Sequence, residues 1–163
     1  PDVDEVASPT ELPATGDVVV NNITFSYAAG SRPALENVNL TLTAGTRLAL
    51  VGPTGAGKST LAKLMARLYD PQSGSVSFGG VDLRQASMED LRRRIVVIPQ
   101  EGFLFDGTVR DNLLIAKPDA TDEEIKDALK AANAWDFIQT KMSETGIDTQ
   151  VGATGGQLSG GQK

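Results

Sequence analysis

The sequence contains no cysteine and no histidine. Without cysteine, the chain can form neither a disulfide framework nor a thiolate metal site. The absence of histidine also excludes the usual zinc sites and Ser-His catalysis within this chain. No apolar run reaches the roughly 18 residues that a membrane-spanning helix needs, and the N-terminus lacks the basic and then apolar layout of a signal peptide. We therefore expect a water-soluble polypeptide.

The net charge of −6 is concentrated at the N-terminus. Residues 1–16, "PDVDEVASPTELPATG", hold four acidic residues, three prolines and no basic residue, a composition typical of a linker. Residues 17–163 carry 15 basic and 17 acidic side chains, so no overall field draws them to nucleic acid. The run at 92–94, three arginines, is shorter than the roughly 5–8-residue tracts of nucleic-acid patches, and a solvated helix face is the favoured interpretation. We predict no nucleic-acid partner.

Short segments rich in β-branched residues alternate with amphipathic segments along the rest of the chain. The predicted strands are residues 18–27, 37–43, 47–52, 74–78 and 95–99, and the predicted helices are 58–69, 88–94 and a segment that begins at Thr121. Thr121 and Glu124 have capping-box spacing. Trp135 and Phe137 are expected to pack in a helical subdomain, and Asp106 and Asp111 to lie in a loop and at a helix start. This alternation predicts an α/β fold.

The stretch "GPTGAGKST", residues 52–60, lies between a predicted strand and a predicted helix, which is the context of a P-loop. Glycines at 52, 55 and 57 allow the backbone to curl around an anion, and the helix adds its N-terminal partial charge. Lys58 is predicted to reach the β- and γ-phosphates, and the Ser59 hydroxyl to coordinate Mg²⁺. A glycine-rich turn that binds nothing is the alternative.

Further stretches of the sequence resemble the nucleotide-binding domain of ATP-binding-cassette (ABC) transporters. "LSGGQ" (158–162) resembles the signature motif of that family, "VVIPQ" (96–100) its Q-loop strand, and "ITFSY" (23–27) its aromatic A-loop. The segments 103–114, 121–138 and 149–162 resemble the exporter-type members. The resemblance covers residues 17–163 and implies a P-loop core, here incomplete, with an N-terminal antiparallel β-subdomain and a helical subdomain.

The resemblance implies MgATP as the ligand. It gives Lys58 and Gln100 catalytic roles, makes Ser59 and Gln100 the metal ligands, and stacks Tyr27 on the adenine. A core aromatic and a surface glutamine remain the alternatives for Tyr27 and Gln100. The implied nucleotide-binding residues are Tyr27, Gly52, Pro53, Thr54, Gly55, Ala56, Gly57, Lys58, Ser59, Thr60 and, in the signature, Ser159, Gly160, Gly161 and Gln162.

The resemblance also implies partners and a location. Two domains of this family pair head to tail, so the signature of one chain contacts the ATP held by the P-loop of the other. A transmembrane domain is the second expected partner, which places the domain at the cytoplasmic face of the cell membrane. Residues 1–16 would then be the linker that follows the transmembrane domain, 17–100 the β-subdomain with the P-loop, and 101–163 the helical subdomain.

The family hydrolyses ATP with an aspartate that ends an apolar strand, a following glutamate and a later histidine. None of the three is in this sequence, so we expect a chain that belongs to a longer ATPase and is inactive alone. The expected function of the complete protein is ATP-driven export. Two alternatives stay open: a soluble ABC-type ATPase that acts on nucleic acid or ribosomes, and a non-hydrolysing regulatory half.

Overall fold

A computed structural model describes residues 3–99, 102–142 and 144–151. The chain divides into a sheet unit, residues 1–97, and a helical unit, residues 98–163. The elements of the sheet unit are β1 (Val18–Phe25), β2 (Leu35–Leu42), α1 (Lys58–Met65), β3 (Ser73–Phe78), β4 (Val81–Asp82) and α2 (Met88–Arg94), with a 3₁₀ turn at Leu83–Gln85. Those of the helical unit are α3 (Val109–Leu114), α4 (Asp122–Ala131) and α5 (Trp135–Lys141), with a 3₁₀ turn at Gly146–Asp148.

The strands form one antiparallel sheet in the order β2-β1-β3-β4. Val20 lies in the middle of β1, opposite Leu40 of β2 and Val76 of β3. The register shifts after Val20, where Asn22 has a left-handed φ of 49°. Such a bulge changes which face the following side chains occupy. For this reason Val20 and Ile23, three residues apart, are both buried in the core.

The helix α1 ends four residues before the predicted end at Tyr69. It stops at Met65 because Arg67 has a left-handed φ of 48°, through which an α-helix cannot continue. The Arg67 side chain is buried, and its guanidinium has hydrogen-bond partners from two parts of the chain. Its guanidinium donates to the Asp70 carboxylate at 3.2 Å and to the Asp4 carbonyl at 2.8 Å. Arg67, which was predicted to lie within the helix, is thus a buried residue just beyond the observed helix end at Met65.

The predicted strands at 47–52 and 95–99 are wrong for the described residues. Neither segment is hydrogen-bonded in a ladder, and their apolar side chains are open to solvent: Val51 is 89% exposed, Val96 77% and Ile98 89%. A continuous apolar run predicts burial, but a strand also requires a neighbouring strand to satisfy its backbone groups. No described strand lies beside either segment.

Residues 3–16 are part of the sheet unit, and Leu12 is buried in its core, which the linker-like composition of the segment does not predict. Leu12 is 1% exposed and belongs to the core, and its N–H donates to the Asp90 carboxylate at 2.6 Å. The Glu5 carboxylate accepts from the Met88 N–H at 3.1 Å, at the N-terminus of α2, where negative charge is favoured. Whether residues 1–16 link this domain to another stays a prediction.

Replacing Leu12 by alanine is expected to destabilise the purified protein by about 2–5 kcal/mol, because the change leaves a cavity in the core. Chemical denaturation followed by circular dichroism measures this loss. The matched control is Glu11→Ala at the exposed neighbouring position, which should change the free energy of unfolding by less than about 0.5 kcal/mol. If both variants unfold like the wild type, Leu12 is not buried in the core in solution.

The helical unit has its own core of Ile125, Leu129 and Ile138. Trp135 and Phe137 pack against this core, which confirms their predicted structural role. The apolar positions of α4 and α5 meet across the short connection between the two helices.

Capping boxes start two of the helices in this unit. Thr121 and Glu124 form the predicted box at α4, and Thr108 and Asp111 form an equivalent box at α3, so Asp111 is a helix-start residue as expected. Hydrogen bonds from the Lys117 side chain and the Thr121 N–H lower the pKa of Glu124 to about 2. These acidic groups cap helices.

Within residues 3–99, 102–142 and 144–151, no helix is both long and apolar enough to cross a membrane. The same residues contain no group of three or more acidic, His or Cys side chains placed to hold a metal ion.

Candidate nucleotide-binding site

Residues 52–60 form a tight loop that leads directly into α1. Gly55 and Gly57 have left-handed φ angles of 85° and 84°, which glycine adopts without steric cost. The Ala56 N–H donates to the Pro53 carbonyl at 3.2 Å and closes the turn between them. Gly57 is the N-cap of α1, so the curled loop ends where the helix begins.

The side chain of Lys58 folds back over this loop. Its Nζ donates to the carbonyls of Gly52 and Pro53, both at 2.8 Å. An ammonium group has three donors, so these bonds use two of them and hold the charge beside the loop backbone. The positive charge and the N-terminus of α1 therefore lie at the same place, which favours an anionic ligand.

The first turn of α1 leaves its backbone donors available. No side chain among the described residues caps the helix, and its first backbone bond runs from the Leu61 N–H to the Gly57 carbonyl at 2.8 Å. The N–H groups of residues 58–60 precede that bond and have no partner within the helix. Ser59 is exposed, so its hydroxyl is accessible to a ligand, whereas Thr60 is buried. This arrangement fits a phosphate chain, which needs several donors and a positive charge.

Tyr27 contacts the same helix from the end of β1. Its hydroxyl lies 3.0 Å from Oγ1 of Thr60, and its ring packs edge-on against Phe25 with 5.0 Å between ring centroids. The side chain is nevertheless 53% exposed, so an aromatic surface remains open beside the P-loop helix. The structure thus brings Tyr27 to the helix that carries Lys58, although 31 positions separate them in the sequence.

The remaining predicted site residues lie outside the described residues. These are Gln100 of the Q-loop and the signature residues Ser159, Gly160, Gly161 and Gln162. Their predicted roles stay predictions.

Sequence reasoning missed two side chains of the Tyr27 surroundings. The ring of Tyr69 lies edge-on to that of Tyr27, with 5.5 Å between centroids, and Nζ of Lys63 lies 5.6 Å from the Tyr27 centroid. The helical spacing of Thr60 and Lys63, three residues apart, indicated that they share a face of α1. Nothing in the sequence indicated that Tyr69 follows the helix as part of an aromatic cluster.

Gly57→Ala is expected to destabilise the protein more than Gly55→Ala. Both changes place a side chain at a left-handed φ, at a cost of about 1–2 kcal/mol. A Cβ at Gly57 would also lie 2.6 Å from Cδ2 of Leu35 and 2.9 Å from the carbonyl oxygen of Ala34, whereas one at Gly55 meets no atom of the described part of the chain within 4 Å. We expect a further loss of about 1–3 kcal/mol for the variant at Gly57.

Thermal unfolding without nucleotide measures this difference, because a ligand could itself contact a new methyl group at Gly55. Equal midpoints for the two alanine variants would contradict the close approach of the loop to Leu35.

The ABC transporter family matches residues 35–163. The chain is 48% identical over 149 residues to a β-(1→2)glucan export ATP-binding/permease protein, NdvA, of Rhodopseudomonas palustris, covering 91% of this chain and 24% of that protein. It is also 48% identical over 148 residues to an uncharacterised ABC transporter ATP-binding protein, y4gM, of Sinorhizobium fredii, covering 91% of this chain and 25% of that protein. The chain thus spans about a quarter of the length of these relatives.

A solved structure of a bacterial Atm1-family ABC exporter with ATP bound superposes with a TM-score of 0.89 at 36% identity, covering 99% of this chain and 28% of that one. The predicted P-loop fold with an antiparallel sheet and helices is therefore confirmed. The chain belongs to the ABC transporter family, as an exporter-type nucleotide-binding domain.

Proposed function

We propose that this chain binds MgATP at residues 52–60 and that the whole protein uses its hydrolysis to export a substrate across a membrane. The observation that carries the binding proposal is the position of Lys58. Its ammonium is held at 2.8 Å from two loop carbonyls, beside the uncapped N-terminus of α1. The family membership supports ATP over other phosphate ligands.

Within this proposal, each residue of the loop has a distinct task. Lys58 and the N–H groups of the first helical turn bind the phosphates, and Ser59 offers its exposed hydroxyl to the metal ion. Mg²⁺ would neutralise phosphate charge when it is bound. Tyr27 offers its exposed ring to the base. Gln100 would contact the metal or the attacking water.

The transport part of the proposal rests on the relatives. One of them is named as an export ATP-binding/permease protein, and the similar solved structure is titled as an exporter with ATP bound. We propose the same arrangement here: a transmembrane domain, a second nucleotide-binding domain in a head-to-tail pair, and a position at the cytoplasmic face of the membrane. The near balance of charge in residues 17–163 argues against a nucleic-acid partner.

Titration of the purified protein with MgATP tests the binding proposal. Tyr27→Ala should weaken binding by about 1–3 kcal/mol, because base–aromatic stacking contributes about that much, and Tyr27→Trp, which keeps an aromatic surface, should bind more tightly than the alanine variant. Since any base offers a π-face, GTP should compete measurably with ATP. If the alanine variant binds as tightly as the wild type, Tyr27 is only a packing residue. A wild-type protein that binds no MgATP would refute the proposed function.

A further inference from the structure

The hydroxyl of Tyr27 is tied to the P-loop helix. It lies 3.0 Å from Oγ1 of Thr60, the third residue of α1. Thr60 is only 7% exposed, and Tyr27 is 53% exposed. The contact therefore joins a buried hydroxyl in the helix to the polar end of an open aromatic ring.

Neighbouring side chains also restrict the ring. Phe25 and Tyr69 both meet it edge-on, at interplanar angles of 82° and 88°. Such T-shaped pairs are a preferred aromatic geometry and favour one ring orientation over others. Lys63, one turn along α1 from Thr60, places its ammonium 5.6 Å from the ring centroid. Packing limits the tilt of the ring, and the hydroxyl contact with Thr60 fixes its position relative to α1.

The chemistry of the two hydroxyl groups allows this contact to persist when a ligand is bound. Each hydroxyl has one donor hydrogen and can accept hydrogen bonds. When Tyr27 donates to Oγ1 of Thr60, the hydrogen of Thr60 remains for another acceptor, such as a phosphate oxygen. The base surface and the phosphate loop can therefore be occupied at the same time without breaking the contact.

We propose that Thr60 is a positioning residue for the Tyr27 ring, so that the Tyr27 hydroxyl, and not the ring alone, contributes to the affinity for a nucleoside triphosphate. This inference rests on the proposed function. It adds that one hydrogen bond fixes the position of the Tyr27 ring relative to the phosphate loop. A ligand with both a base and a phosphate chain benefits from this fixed position, whereas a ligand with phosphates alone does not.

The test compares two probes, MgATP and magnesium tripolyphosphate, which lacks the base. Tyr27→Phe should weaken MgATP binding roughly two- to tenfold, the range expected for one neutral hydrogen bond, and leave tripolyphosphate binding unchanged. Tyr69→Phe is the matched control, because it removes a hydroxyl from the same aromatic cluster, and it should bind both probes like the wild type. Thermal unfolding of each variant checks that the fold is retained.

Thr60 is tested in the same titrations. Thr60→Val should weaken MgATP binding, and Thr60→Ser, which keeps the hydroxyl, should restore most of the affinity. The double variant Tyr27→Phe/Thr60→Val should bind MgATP no more weakly than Thr60→Val alone, because both changes remove the same hydrogen bond.

Three results would overturn the inference: wild-type MgATP affinity in Tyr27→Phe, losses that add fully in the double variant, or an equal loss of tripolyphosphate binding in Tyr27→Phe. If one of these results occurs while Lys58→Ala loses MgATP binding in the same series, only the proposed role of the Tyr27 hydroxyl is refuted. If the wild type binds neither probe, the proposed function fails with it.

Discussion

Replacing Lys58 by alanine is expected to weaken MgATP binding by about ten- to a hundredfold or more. The ammonium supplies charge-assisted hydrogen bonds, each of which contributes about 1.5–3 kcal/mol, and it lies beside the loop that would hold the phosphates. Titration of the purified protein measures the loss. Lys130→Ala, an exposed position on α4, is the control and should bind like the wild type. Unchanged affinity in the Lys58 variant would refute the assignment of residues 52–60 as the nucleotide site.

A second substitution separates charge from packing. Lys58→Met keeps an unbranched side chain of similar length and removes the ammonium. If the charge is responsible, the methionine variant loses as much affinity as the alanine variant. Recovery of affinity with methionine would instead indicate that the side chain mainly supports the loop, whose carbonyls at Gly52 and Pro53 it contacts.

The parts of the fold that the sequence predicted correctly depend on short-range signals. The helix at residues 88–94 was predicted with its observed bounds, and the Thr121 capping box is present as expected. The strands β1, β2 and β3 begin and end within two residues of their predicted bounds. Capping, apolar periodicity and β-branched composition act within a few residues, so they can be recognised without knowledge of the fold.

The errors arise where distant parts of the chain decide the outcome. The apolar segments 47–52 and 95–99 have strand composition, but a strand forms only when a partner strand is beside it. Arg67 lies beyond the end of α1, where its buried guanidinium donates to Asp70 and to the carbonyl of Asp4, 63 positions earlier in the chain. Leu12 was assigned to a linker because its neighbours are acidic and proline-rich, yet it is buried in the core. Composition does not reveal such long-range contacts.

The same difference between short-range signals and long-range contacts applies to the candidate site. Residues 52–60 could be recognised as a phosphate loop because their motif is contiguous and each residue type has a chemical reason at its position. Tyr27 was found only through the family resemblance, and its hydrogen bond to Thr60 could not be predicted at all, since it joins the segment after β1 to α1. The neighbouring Tyr69 was missed because its contact with Tyr27 also depends on the tertiary fold. Short motifs predict the phosphate end of the candidate site, whereas the tertiary fold is needed to find the contacts of Tyr27 at the proposed base end.

The predicted signature, residues 158–162, raises the question of how many nucleotides one chain contacts. If residues 158–162 bind phosphate as predicted, the chain could use its two phosphate motifs on one nucleotide or on two. Gly160 and Gly161 would allow close backbone approach to a phosphate, and Ser159 offers a hydroxyl donor. In a head-to-tail pair, each nucleotide would lie between the P-loop of one chain and the signature of the other. Lesions at Lys58 and Ser159 then damage different sites when they are in the same chain.

Two variants whose own dimers lack an intact nucleotide site are therefore expected to form mixed dimers with one intact site. Lys58→Ala in one copy and Ser159→Arg in the other place both lesions at the same site of a mixed dimer and leave the second site intact. Homodimers of either variant have both sites damaged. Mixed dimers of the purified protein can be isolated with two different affinity tags and titrated with a non-hydrolysable ATP analogue. One tightly bound analogue per mixed dimer is the expected result, whereas the homodimers should bind none tightly.

The opposite arrangement predicts a different outcome of this experiment. If Lys58 and Ser159 of one chain share a nucleotide, every mixed dimer has two damaged sites, and mixing restores nothing above the level of the homodimers. A doubly substituted chain paired with a wild-type chain is the matched control. In the head-to-tail arrangement this control has one lesion at each site and no intact site, and in the alternative arrangement it keeps one intact site. The two dimers contain the same two substitutions, so the difference in their occupancy depends only on which chain completes each site.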